Sequence, residues 1–131
     1  MQTPPRGGTE TILVAEDDGA LREIAKTVLS MHGYTVIEAA DGEEAVRKFR
    51  ERQDEVRLLL MDLIMPKMDG KEACDEIRKI RPDVRVLFST GYAPDHLRQK
   101  LQIEGPCHLI QKPASPVDLL RKVRSVLDGG N

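Results

Sequence analysis

The 131-residue chain predicts an α/β fold built on a five-stranded parallel sheet with helices on both faces. Three observations predict it. Short apolar runs alternate with amphipathic stretches, five of each, which is the pattern of repeated strand-helix-strand units. The runs TILVA, RLLLM and VRVLF are almost continuously aliphatic, as strands buried on both faces must be. Hydrophobic residues make up 40% of the chain with only two Phe, two Tyr and no Trp, so the core is assembled from Val, Leu and Ile.

The elements follow in order. Residues 1–10 hold two Pro, two Gly and no apolar period, and read as a flexible tail or linker remnant. The folded domain is expected over 11–128, with a second tail at 129–131. The first strand is Thr11–Ala15, followed by a helix with Leu21, Ile24, Ala25 and Val28 at three- and four-residue spacing and Gly33 placed as a C-cap. Tyr34–Glu38 is the second strand; Asp41 caps a second helix carrying Ala45, Val46 and Phe49. Arg57–Met61 is the third strand, and Ala73, Ile77 and Ile80 mark a third helix that Arg81-Pro82 stops. Val84–Phe88 is the fourth strand, Leu97 and Leu101 mark a fourth helix, and His108–Ile110 is the fifth strand. Ser115 before Pro116 begins the last helix, with Leu119, Leu120, Val123, Val126 and Leu127 on its apolar stripe.

Several function classes drop out at this level. A formal net charge of −2 offers no broad attraction to nucleic acid or anionic lipid. Cys74 and Cys107 form no CxxC pair, and His32, His96 and His108 are scattered, so neither a zinc site nor a disulfide framework is expected. Both cysteines read as reduced thiols in a cytoplasmic setting, and no apolar run is long enough to cross a bilayer. A dinucleotide-binding oxidoreductase would need a Gly-rich loop after the first strand, where this chain has acids that repel a pyrophosphate.

Open parallel sheets bind ligands beyond the carboxyl ends of their strands. The chain places chemistry there: Glu16, Asp17 and Asp18 after the first strand, Asp62 after the third, Thr90 after the fourth and Lys112 after the fifth. Crowded carboxylates demand a raised pKa or a bound cation, and a donor set of oxygens without His or Cys selects a hard ion, Mg²⁺ or Mn²⁺. Asp18 is better placed as a helix cap than as a ligand. The three histidines carry no partner in sequence, and Met61, Met65 and Met68 read as packing.

Four motifs, ILVAEDD, LLLMDLIMPKMDG, VLFSTG and IQKP, occur in an order and spacing that resemble the response-regulator receiver family, across Thr11 to about Leu127. The resemblance implies a flavodoxin-like (βα)5 three-layer sandwich. It implies that Asp62 is the phosphoacceptor, that Asp17 ligates the metal directly and Glu16 through water, and that the Ile64 backbone carbonyl adds a ligand. Lys112 and Thr90 would contact phosphoryl oxygens, and Gly91 would leave room for them and donate its amide. Pro66 and Gly70 would serve the turn after the nucleophile, and Pro113 stands where the family commonly has a cis bond. The implied donor is a histidine kinase or phosphotransfer domain. The downstream protein target is open, and no nucleic acid or membrane contact is expected.

The chain departs from that family at Leu109, where an aromatic switch residue is usual, so signalling through that face is expected to be weaker, different or carried by Tyr92. Ile64 and Tyr92 are bulky beside the phosphoryl position and orient water poorly, which predicts slow phosphate loss. The stretch GGTETILVAEDD resembles the kinase-receiver join of hybrid histidine kinases. Two other readings compete with the phosphoacceptor, which catalyses only its own phosphorylation and dephosphorylation. A metal-dependent phosphatase with an aspartyl intermediate wants an acid two residues after the nucleophile, where Ile64 stands. A degenerate receiver acting purely as a docking module has only Leu109 in its favour.

Overall fold

The computed structural model describes residues 7–91, 108–112 and 114–129. Its strands are β1 (Thr11–Ala15), β2 (Thr35–Ala39), β3 (Val56–Asp62), β4 (Arg85–Thr90) and β5 (His108–Gln111). The helices among the described residues are α1 (Gly19–Met31), α2 (Gly42–Glu51), α3 (Gly70–Ile80) and α4 (Pro116–Leu127). The predicted helix marked by Leu97 and Leu101 lies outside the described residues, as do His96, Cys107, Tyr92 and Pro113. All neighbouring strands pair in parallel, in the order β2-β1-β3-β4-β5.

Two aliphatic layers hold the sheet between the helices. Leu13, Leu59, Met61, Val86 and Phe88 face α2 and α3, where Phe49, Ala73 and Ile77 are buried. Ile12, Val14, Leu58, Leu60 and Leu87 face α1 and α4, where Leu29, Leu120 and Val123 are buried. Alternate residues of one strand thus feed opposite layers, which is why the central runs are apolar throughout.

The caps are local chemistry. Asp18, Asp41, Asp69 and Ser115 each accept backbone amides of the helix they open. Gly33, at φ +96, continues the chain past His32, and the His32 Nδ1 lies 3.0 Å from the Val28 carbonyl oxygen. Met61 and Met65 are buried in the layer under α2 and α3, with Met68 packed against it. No described helix is long and apolar enough to cross a membrane.

Three expectations shift. Thr90 is the last residue of β4 and Asp62 the last of β3, instead of following them, because the ladder continues through Asp62↔Ser89 and Thr90↔Gln111. On α1 the apolar stripe is only half used: Leu21 and Ile24 are 43% and 57% exposed, and Leu29 takes the buried position. Glu10 is bonded into the domain. Its carboxylate receives Nη1 and Nη2 of Arg124 at 3.1 and 2.7 Å, and its carbonyl receives the Thr35 amide. Arg124, buried in α4, also donates to Asp128, the Tyr34 hydroxyl and the Gly7 carbonyl.

Candidate functional site

The strand order places β2 and β3 on opposite sides of β1, so the connections leaving β1 and β3 diverge to opposite faces and open a crevice at their carboxyl ends. Glu16, Asp17 and Asp62 meet in that crevice. One carboxylate oxygen of each lies within 4.8 Å of the others. Glu16 and Asp62 are 7% and 6% exposed, held under the rim by the apolar strands that precede them, while Asp17 faces solvent.

Lys112 reaches the acids from the end of β5. Its Nζ donates to Asp62 Oδ2 at 2.9 Å and to Glu16 Oε1 at 3.1 Å. Its backbone amide donates to the Thr90 carbonyl at 2.6 Å, which fixes the lysine to the end of β4. The remaining Asp62 oxygen accepts the Ile64 amide at 3.2 Å, and Glu16 Oε2 accepts the Asp18 amide at 3.2 Å.

The electrostatics follow from the crowding. Burial, and then the Asp62 carboxylate beside it, push Glu16 up to about 7 from its ordinary 4.5. Burial works against the Lys112 ammonium, but hydrogen bonds to Asp62 and Glu16 outweigh it and hold its pKa above the usual lysine value. Two buried carboxylates share one ammonium. The donor set is oxygen throughout, which fits a hard divalent ion.

The other predicted residues fall around this centre. Asp18 turns away and caps α1, its Oδ1 accepting Ala20 N at 2.9 Å and Leu21 N at 3.2 Å. Thr90 is 2% exposed at the end of β4, and a side chain placed on Gly91 would meet nothing within 4 Å, so the space beside it is open. The Ile64 side chain is 64% exposed. Leu109 is 8% exposed and pairs in register with Phe88, which makes it a core residue of the layer under α2 and α3.

The turn after Asp62 differs in detail from its reading in sequence. The left-handed residue is Lys67, at φ +67, and neither Pro66 nor Gly70 takes that conformation. Gly70 is required by proximity: a Cβ there would overlap the Asp62 carbonyl and crowd the Leu63 Cα.

Sequence reasoning missed Arg22, whose Nη1 donates to the Glu16 carbonyl at 2.7 Å while its Nε lies 3.5 Å from Glu38. That pair stiffens the acid turn against α1 and β2. An arginine one turn into a helix carries no signal of it. An apolar groove of about 420 Å³, lined by Leu21, Ile24, Ile110 and Leu119, adjoins Glu16 and Lys112.

Residues 12–124 match the family model described as the response regulator receiver domain. The sensor kinase CckA of Brucella abortus (strain 2308) is 36% identical over 121 residues, covering 92% of this chain and 13% of the kinase. The chain spans about half the length of several other curated relatives. Among solved structures, the receiver domain of the hybrid histidine kinase CckA superposes with a TM-score of 0.78 at 33% identity, covering 89% of this chain and 98% of that one. A chain of the CheX-CheY-BeF3-Mg²⁺ complex from Borrelia burgdorferi gives 0.82 at 28% identity, covering 89% and 88%.

Proposed function

The chain belongs to the response regulator receiver family, and on that premise we propose that it accepts a phosphoryl group on Asp62 from a phosphohistidine or a small acyl phosphate. The observation that carries this reading is the convergence of Asp62, Glu16, Asp17 and Lys112 on one rim. A carboxylate oxygen of Asp62 attacks phosphorus; an O–P bond forms as the bond to the donor's imidazole nitrogen or acyl oxygen breaks. The leaving group departs with that electron pair, an imidazole taking a proton from solvent and an acyl donor leaving as its carboxylate anion. A carboxylate needs no base for this attack.

The residues fit a divalent cation, and Asp17, Asp62, Glu16 and the Ile64 carbonyl are the groups that would hold Mg²⁺ or Mn²⁺. Such an ion neutralises charge on the phosphoryl oxygens during transfer. Lys112 supplies a further positive charge to a phosphoryl oxygen, and the Thr90 hydroxyl and Gly91 amide donate to others. With Asp62 modified, Lys112 exchanges Asp62 and Glu16 for phosphate and the Thr90 hydroxyl turns to it, which gives the switch its structural handle.

We assign the receiver unit to residues 11–128, acting in the cytoplasm as a signalling phosphoacceptor that catalyses only its own phosphorylation and dephosphorylation. The donor is a histidine kinase or phosphotransfer domain, and the apolar side chains of Leu21 and Ile24 beside the rim give it a surface to meet. The likeness to CckA supports a role within a kinase-linked phosphorelay. Incubation with acetyl phosphate and Mg²⁺, followed by intact mass, tests the reading. One phosphate adduct, absent with EDTA and absent in Asp62→Asn, is expected; an adduct that persists in Asp62→Asn overturns it.

A further inference from the structure

We infer that Gly42, in the first turn of α2, is a positioning residue for the metal-dependent phosphorylation of Asp62; the inference rests on the function proposed above. Gly42 supplies no ligand atom. It acts through the loop between β3 and α3, residues 63–69, which carries the Ile64 carbonyl.

That loop is pinned close to Asp62. The Leu63 amide donates to the Ser89 carbonyl at 3.1 Å, and the Leu63 carbonyl accepts the Gly70 amide at 2.9 Å. Its far side, Lys67-Met68, rests on the N-terminus of α2. The Met68 carbonyl lies so close to Gly42 that a Cβ on residue 42 would overlap its oxygen and press on its carbon and on the Met68 Cβ, each nearer than real Cβ contacts allow. Lys67 Nζ is 3.6 Å from Oδ2 of Asp41, the N-cap of the same helix. Lys67 also holds φ +67, a conformation a lysine keeps only where its surroundings impose it.

Which partner yields to an added side chain is decided by burial. Helix α2 is locked by Gly42, Ala45, Val46 and Phe49, all buried. The loop is anchored by Leu63 and Met65 but is exposed at Ile64, Pro66 and Lys67, so it has fewer buried side chains resisting a shift than α2 has. A methyl group at position 42 therefore drives the loop outward and carries the Ile64 carbonyl away from Asp62, with Glu16, Asp17 and Asp62 left in place.

The test is the Mg²⁺ dependence of phosphorylation by acetyl phosphate, read by intact mass, for the wild type and Gly42→Ala. Outer-shell changes around metal sites typically weaken affinity by about ten-fold or more. The half-saturating Mg²⁺ concentration should rise about ten-fold, with the rate at saturating Mg²⁺ restored to near the wild-type value. Phe49→Leu, which loosens α2 seven residues away from Gly42 and adds nothing against the Met68 carbonyl, should leave that concentration unchanged. Equal Mg²⁺ dependence in wild type and Gly42→Ala, or an equal shift in Phe49→Leu, overturns the inference.

A second measurement needs no variant. In an amide NMR titration of the wild type with Mg²⁺, the Gly42 and Met68 signals should shift along the same binding curve as Ile64. Signals of Gly42 and Met68 that stay still while Ile64 moves also overturn it. A wild type that gains no Mg²⁺-dependent adduct defeats the phosphoacceptor reading itself, a result distinct from both.

Discussion

Mg²⁺ should bind the acid cluster about ten-fold more weakly at pH 6 than at pH 8, and Glu16 is the reason. In the metal-free protein its pKa stands at about 7, raised by burial and by the neighbouring Asp62 carboxylate. The ion binds the carboxylate form, so its apparent dissociation constant scales as 1 + 10^(pKa − pH), which is about 11 at pH 6 and about 1.1 at pH 8. The ratio corresponds to about 1.4 kcal/mol.

The same shift contributes to the pH dependence of folding. The native pKa lies above the unfolded one, so the folded metal-free protein retains a proton that the unfolded chain releases. This group's stabilising contribution is therefore fully present below pH 4.5 and is lost as pH rises through about 7. Saturating Mg²⁺ removes the loss by replacing the proton. Isothermal titration in two buffers of different ionisation enthalpy measures both the affinity and the protons released, and release should approach about half a proton at pH 7. An affinity constant within two-fold from pH 6 to 8, or an unchanged pH dependence in Glu16→Gln, would refute the reasoning.

Other predictions follow from the same contacts. Lys112→Ala leaves Asp62 and Glu16 without their shared cation; allowing for the partial exposure of the lysine, urea denaturation of the metal-free protein at pH 8 should show a loss of about 1–2 kcal/mol. The loss should shrink at pH 5.5, where Glu16 is protonated; an equal loss at both values would contradict the shared-charge account. Arg124→Met keeps the aliphatic stem but removes one donor from Tyr34 and the paired donors of Glu10 and Asp128, and should cost about 2–3 kcal/mol. In that variant the Glu10 pKa, which the Arg124 hydrogen bond holds below its ordinary value, should return upward in an NMR titration. Ile64→Asn should shorten the lifetime of the aspartyl phosphate, because the exposed Ile64 side chain has no group to orient water; equal decay of the two proteins on a radiolabel chase would exclude this.

Much of this molecule was legible because its central strands need no partner to be recognised. TILVA and RLLLM are apolar on both faces, so their positions, and the acids directly after them, could be read together. Recognition of the motifs then placed Lys112 and Thr90 on the same rim, although 96 residues separate Lys112 from Glu16. What escaped notice depends on tertiary proximity. Arg124 sits in an amphipathic stripe where an arginine reads as surface, and its burial follows only from Glu10 and Tyr34 being brought against α4. Leu21 and Ile24 have the right period for the core, yet α1 turns Leu29 inward and leaves them at the edge. Gly42 reads as an ordinary residue after a helix cap; its need for no side chain exists only because Met68 arrives from another loop.

The bond between Arg124 and the Gly7 carbonyl has an architectural consequence. One guanidinium ties the Gly7 carbonyl and the Asp128 carboxylate to the same helix. It does so at the pole where β1 begins, whereas the acids lie where it ends. The first and last described turns are thus clasped together at the pole remote from the rim that a phosphodonor must reach.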